Sequence, residues 1–216
     1  MGKFTKKLVA VLVIMTMVLA SASIAFAADD SPATKPAAAA KITSFYTDCS
    51  SADKTITAHY AGKNCTKYEV AYRVQGGSWK TVTTTKKSYK ITGLKNNSLY
   101  QVRVRGINKD GKKGAWSATK SRYIGQVKSF KVTSPKKGQI KVTGSKMSGV
   151  AYYQIKYSKK SSMKNAKTVT CKSATLNKTI KNLKKGTYYV QVRPVKTVGG
   201  KNYIGSYQTK KKVTVK

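Results

Sequence analysis

Tyr100, Val102 and Val104 alternate with Gln101, Arg103 and Arg105, and Tyr68, Val70 and Tyr72 keep the same period of two. That period is the mark of a half-buried strand, whose side chains point to opposite faces in turn. β-branched and aromatic residues dominate these segments, with Gly, Asn, Asp and Ser clustered between them, as strands and their turns require. The pattern predicts strands over 42–47, 54–60, 67–74, 79–84, 88–92, 99–106 and 116–122. A second set is predicted over 127–133, 139–143, 151–158, 167–171, 174–181, 187–193 and 206–215. No segment after residue 27 shows a helical stripe.

The two sets are copies of one unit. Ile42-Thr-Ser-Phe45 recurs as Val127-Lys-Ser-Phe130, and Tyr68-x-Val70-x-Tyr72 as Tyr153-x-Ile155-x-Tyr157. Tyr100-Gln-Val102-Arg-Val104-Arg105 recurs as Tyr188-Tyr-Val190-Gln-Val192-Arg193, and Gly114-Ala-Trp116 as Gly205-Ser-Tyr207. The offset drifts from 84 to 91 residues, so the repeat is a duplicated domain and not a solenoid unit. We expect domains at 41–124 and 125–216. Seven short strands per copy imply an all-β fold of two tandem antiparallel sandwiches.

The segment from Tyr68 to Ser117 resembles a fibronectin type III domain. Tyr68-x-Val70-x-Tyr72-Arg73 matches strand C, with Trp79 on the following strand. Leu94 stands six residues before Tyr100, as in the family's tyrosine corner. The second copy is similar to the lysine-rich version of this module found on bacterial surface proteins, through Tyr153-Gln-Ile-Lys-Tyr-Ser158, Thr179-Ile-Lys-Asn-Leu183 and Tyr188-Tyr-Val-Gln-Val-Arg193. The resemblance implies two immunoglobulin-like sandwiches. The family's core Trp late in strand B is replaced by Tyr60 and by Gly144, leaving Met147 or Tyr153 to fill the second core. Leu183 to Tyr188 is one residue short, which implies a distorted second corner. Lys109-Asp110-Gly111 stands where integrin-binding members carry Arg-Gly-Asp, so integrin adhesion is not implied.

Charge narrows the function. The chain has 44 Lys and Arg against 6 acids, and residues 111–216 hold 27 basic residues and no carboxylate. Carboxylate pairs, a partnered histidine or a metal cluster serve most hydrolytic chemistry, and the C-terminal half can supply none of them. The expectation is a non-enzyme with no cofactor, no metal and no small-molecule substrate. Its single histidine, His59, should face solvent if Ile56, Ala58 and Tyr60 face the core.

Residues 1–27 read as a signal peptide. Lys3, Lys6 and Lys7 precede the apolar run Leu8–Ala20, and Ala25-Phe26-Ala27 is a cleavage pattern. An uncleaved anchor is the rival reading, since the apolar stretch could span a bilayer. Either implies an extracellular or cell-surface protein. Cleavage removes three lysines and leaves +35 on 189 residues. Residues 28–40, rich in Ala and Pro, read as a flexible tether. Cys49, Cys65 and Cys171 leave at least one unpaired thiol. A Cys49–Cys65 bridge is disfavoured, because the two should sit at opposite ends of strand B, about 20 Å apart, where a disulfide needs about 7 Å.

The candidate ligand face is on the second copy. Tyr152, Gln154 and Lys156 share the outer phase of one strand, and Tyr189, Gln191 and Arg193 that of another which the family fold places beside it. Exposed aromatics beside cations suit sugars, phosphate polymers or proteins. Lys159-Lys160, Lys184-Lys185 and Lys210-Lys211-Lys212 fall at turns or on the last strand, where lysines also guard edges. The expected role is a non-catalytic binding or spacer protein held electrostatically by anionic cell-wall polymer. The alternative is an extracellular binder of nucleic acid or glycosaminoglycan, blind to sequence because no base-reading motif is present. A protein partner stays open.

Overall fold

The computed structural model describes residues 35–216; the expected signal segment 1–27 and residues 28–34 of the expected tether lie outside the described residues. The first copy runs β1 (Lys41–Ser50), β2 (Thr55–Lys63), β3 (Lys67–Val74), β4 (Lys80–Thr84), β5 (Ser88–Ile91), β6 (Ser98–Ile107) and β7 (Lys120–Ile124). The second runs β8 (Phe130–Thr133), β9 (Ile140–Gly144), β10 (Tyr152–Ser158), β11 (Lys167–Cys171), β12 (Asn177–Ile180), β13 (Gly186–Val198), β14 (Lys201–Ile204) and β15 (Lys211–Val215). All pairings are antiparallel. The sheets are ordered β1-β2-β5 and β4-β3-β6-β7 in the first copy. In the second they are β8-β9-β12 and β11-β10-β13, with β14 and β15 both on the far side of β13. This is the expected all-β, immunoglobulin-like sandwich, built twice.

Each sandwich closes on its own apolar cluster. Ile56, Ala58, Val70, Val102, Val104 and Ile124 are fully enclosed in the first, and Ile140, Val142, Tyr153, Ile155, Val190 and Val192 in the second. Burial of each such aliphatic side chain contributes about 1.5–3 kcal/mol. The strand phase read from the sequence is the phase observed.

The space of the missing Trp is filled differently in each copy. Tyr60 is buried with its ring centroid 4.8 Å from that of Tyr68. At Gly144, a β-carbon would lie 2.9 Å from Leu176 Cδ2 and 3.4 Å from Phe130 Cβ. Leu176 and Phe130 therefore take the volume expected of Met147 or Tyr153. Tyr153 is instead a buried brace, its hydroxyl accepting from Met147 N (3.2 Å) and donating to Ala174 O (3.1 Å).

The last strands start later than expected. Residues 114–119 and 205–210 touch the neighbouring strand only at intervals, through Gly114 N to Gly106 O (2.9 Å) and Ser117 N to Val104 O (2.8 Å) in the first copy and Gly205 N to Pro194 O and Gln208 N to Val192 O (both 2.9 Å) in the second. The sequence pattern also missed the hairpin that extends β13 to Val198 and returns as β14. Gly199 and Gly200, at φ 55° and 72°, allow the two-residue turn with positive φ that fits a twisted hairpin.

The tether expectation is corrected at its C-terminal end. Ala37 N donates to Asp110 Oδ2 (2.7 Å), and Asn108 Nδ2 to the carbonyls of Ala37 and Ala38 (both 3.3 Å). Asn64 Nδ2 donates to Ala39 O (3.2 Å), and Ala40 is buried. This strap crosses Gly114, where a β-carbon would sit 2.1 Å from Ala40 O. The linker between copies repeats the arrangement: a β-carbon on Gly205 would sit 2.1 Å from Gly125 O. Gly125 N donates to Ser51 Oγ (3.0 Å), Ser206 N to Gly125 O (2.8 Å), and Asn97 Nδ2 to Ser148 O (2.7 Å). The short junction is thus fastened from both sandwiches by hydrogen bonds, without an added apolar run.

Candidate functional site

The outer-face residues read from the sequence do share a face. β10 and β13 are adjacent, and Tyr152, Gln154, Lys156, Tyr189, Gln191 and Arg193 are all half-buried on it. The register separates the tyrosines, however. Tyr152 lies opposite Val195, and Tyr189 opposite Ser158. Six residues of strand place them about 20 Å apart, at opposite ends of the face.

The centre of the face is Arg193. Its Nε donates to Gln154 Oε1 (2.8 Å), and its guanidinium lies 4.3 Å from the Tyr207 ring centroid. Lys156 Nζ is 5.8 Å from the same ring, and Lys210 Nζ is 5.9 Å from that of Tyr189. Sequence reasoning missed Tyr207 and Lys210 as members of this face. The Gly114-Ala-Trp116 and Gly205-Ser-Tyr207 match was the signal for Tyr207, because the irregular segment after each glycine lays its aromatic across the sheet.

The first sandwich carries the fuller form of this arrangement. Arg73 and Arg103 lie 4.3 and 4.1 Å from the Trp79 centroid, and Arg103 and Arg105 lie 4.4 and 4.3 Å from that of Trp116. Such stacking contributes about 0.5–2 kcal/mol per contact. Arg105 also pairs with Glu69 (2.6 Å), whose other oxygen meets Lys113 Nζ (2.7 Å). Burial pushes the Glu69 carboxyl up, but hydrogen bonds and charge from Lys113 and Arg105 outweigh it and hold it below its ordinary value. Both faces therefore engage much of their cation capacity within the sheet.

His59 faces outward, as its phase implies. It has partners the sequence did not reveal: Asp48 Oδ2 at 3.2 Å from Nε2, and Tyr46, stacked at 4.7 Å between centroids. Cys49 is paired in register with Ile56, while Cys65 lies beside Lys41 at the other end of the β1–β2 pair. All three thiols are free. Among the described residues no group of three or more His, Cys, Asp or Glu is placed to hold a metal ion.

The two tyrosine corners differ in polarity. Lys95 N donates to Tyr100 Oη (2.9 Å) in the first copy. In the second, Tyr188 Oη donates to Lys184 O (3.0 Å). The residue missing between Leu183 and Tyr188 brings a carbonyl, not an amide, to the hydroxyl.

The family model of the fibronectin type III domain matches residues 50–123. No curated protein matches the chain. Among solved structures, a two fibronectin type III domain segment from chicken tenascin is similar over 81% of this chain and 99% of its own, at 12% identity and a TM-score of 0.44. The FN1–FN3 domains of chicken CNTN1 are similar over 83% of this chain and 68% of their own, at 19% identity and a TM-score of 0.38. The matched residues fall within the first sandwich, and the second sandwich repeats the strand order of the first.

Proposed function

We propose that this chain is a non-catalytic secreted or cell-surface protein whose two sandwiches serve as a binding and spacer unit, held by electrostatic attraction to anionic cell-wall polymer. The observation that carries this reading is the distribution of countercharge. Among the described residues the four ion pairs all lie in the first sandwich, on Asp48, Glu69 and Asp110. The second sandwich has no carboxylate side chain at all. Its lysines repel one another, and a polyanion relieves that repulsion while releasing its own counterions. Mixed charge would protect sheet edges and solubility equally well, so edge protection alone does not account for the bias. The hydrogen-bonded junction suits a spacer, since it fixes the direction in which the second sandwich is presented.

The test is co-sedimentation of the protein with purified cell wall, and with wall stripped of anionic polymer, across a salt series. Binding should fall steeply as salt rises and should be lost on stripped wall, with no turnover of wall components. Binding indifferent to both salt and stripping would overturn the electrostatic reading.

A further inference from the structure

One end of the second sandwich forms a cleft of about 500 Å³. Six lysines line it: Lys159, Lys160, Lys164, Lys167, Lys181 and Lys184. The first three lie on the β10–β11 loop, Lys167 opens β11, and Lys181 and Lys184 lie on the β12–β13 loop. Tyr157, Tyr188 and Leu183 close the apolar side.

The loops are fixed in place. Ser158 Oγ donates to Lys164 O (2.9 Å) and accepts from Lys160 N (3.1 Å). Met163 N donates to Lys160 O (3.0 Å), and Tyr188 Oη to Lys184 O (3.0 Å). Lys159 Nζ donates across the gap to Lys185 O (3.2 Å), joining the two loops. Six like charges are therefore gathered around one concavity by a hydrogen-bonded frame, in a domain with no carboxylate side chain to offset them. Like charges so arranged oppose folding, and a bound anion converts that cost into affinity.

The lining also bears on the form of the anion. It contains no arginine, although five arginines occur in the chain. A guanidinium fork imposes a fixed bidentate geometry on carboxylate and phosphate alike, whereas an ammonium is a point charge that meets an anion from any side and so suits the successively rotated phosphates of a flexible chain. Tyr157 and Tyr188 are only 9% and 6% exposed, so neither ring offers a platform on which a nucleobase could stack. From these features we infer that the cleft binds a flexible polymer through its phosphate groups, a phosphodiester or polyphosphate backbone passing between the two loops. This rests on the polyanion reading above and assigns it to a place and a chemical class.

The test measures binding of long-chain inorganic polyphosphate, poly(glycerol phosphate) and polyglutamate to the full chain at fixed moderate salt. One variant carries Lys160→Gln, Lys164→Gln, Lys181→Gln and Lys184→Gln. A matched variant carries Lys86→Gln, Lys87→Gln, Lys90→Gln and Lys95→Gln, exposed positions on the first sandwich. Both remove four charges, and circular dichroism checks that both stay folded. A third variant with Arg at the four cleft positions keeps the charge and guards against a folding artefact. The cleft variant should bind both phosphate polymers at least tenfold more weakly, the matched variant less than threefold more weakly, and the Arg variant nearly as the wild type. Equal losses in the two Gln variants would overturn the cleft while leaving the electrostatic reading standing. Polyglutamate bound as tightly as the phosphate polymers would overturn the ligand class. No binding of any polymer by the wild type would overturn the cleft and the proposed function together.

Discussion

Arg193 donates to Gln154 at 2.8 Å in the place where Arg105 pairs with Glu69 in the first sandwich. The two arginines occupy equivalent positions on β6 and β13, and Tyr207 covers one as Trp116 covers the other, at 4.3 Å in both. The second copy thus keeps the geometry of the pair without its carboxylate. A neutral amide satisfies the guanidinium as an acceptor and leaves its charge in place, so the sandwich retains its fold and gains positive field. This substitution shows how a domain can shed its acids without losing the contacts they made.

The first consequence is a difference in acid stability. Glu69 has a folded value below its ordinary 4.5. A group depressed on folding contributes stability above its unfolded value, and that contribution is lost as pH falls through the folded value. The first sandwich should therefore weaken below about pH 4.5, and the second should not share the loss. Both Trp residues lie in the first sandwich, so Trp fluorescence reports it separately from far-ultraviolet dichroism. Glu69→Gln should flatten the acid limb at a cost of about 1–2 kcal/mol near neutral pH. An acid limb unchanged by this variant would remove Glu69 as its origin.

The tyrosine corners should respond unequally. Tyr100→Phe leaves the Lys95 amide, whose single proton has no second partner, without its acceptor, a loss of about 1–1.5 kcal/mol. Tyr188→Phe frees a carbonyl on an exposed loop that water can reach, so its cost should be below about 1 kcal/mol. Tyr100→Ala adds a cavity and should cost about 3–5 kcal/mol. Chemical denaturation of each variant gives the ranking, and a Tyr188→Phe cost equal to that of Tyr100→Phe would contradict the reversed hydrogen bond.

The strap predicts where the first domain begins. A fragment of residues 36–124 should be more stable than 41–124 by about 1–3 kcal/mol, since the shorter one loses bonds to Asn64, Asn108 and Asp110, each worth about 0.5–1.5 kcal/mol. Thermal melts of the two fragments decide this. Indistinguishable melts would mean that residues 36–40 do not hold to the domain in solution.

The junction predicts a sensitive glycine. A β-carbon at Gly125 would lie 2.2 Å from the Tyr123 ring, which is buried. Gly125→Ala must displace Tyr123 and should loosen the linkage while sparing both cores. Small-angle scattering should then show a broader distribution of interdomain distances, with each domain's melt shifted by less than about 1 kcal/mol. An unaltered scattering profile would show that the linker does not set the orientation.

At His59 the expected effect is small. The Asp48 partner is 72% exposed, and exposed pairs contribute about 0.2–1 kcal/mol. His59→Ala should stay within that range in a denaturation series, and a loss comparable to Tyr100→Ala would contradict its outward phase.

Period-two alternation determined which residues face the core, because a strand has only two faces and Tyr100, Val102 and Val104 could be buried only together. The repeat determined that the unit is doubled, and it paired Gly114 with Gly205 and Trp116 with Tyr207. Charge counting determined that the second domain has no internal countercharge. Register was not legible, since alternation gives the phase of a strand but not its offset from a neighbour; this is why Tyr152 and Tyr189 share a face yet lie at opposite ends of it. The docking of residues 36–40 was equally hidden, because Ala and Pro carry no amphipathic signal and the bonds are made by backbone groups. The lysine cleft joins two loops separated in sequence by the whole of β11 and β12, and only the antiparallel return of β13 alongside β10 brings them to one end of the sandwich.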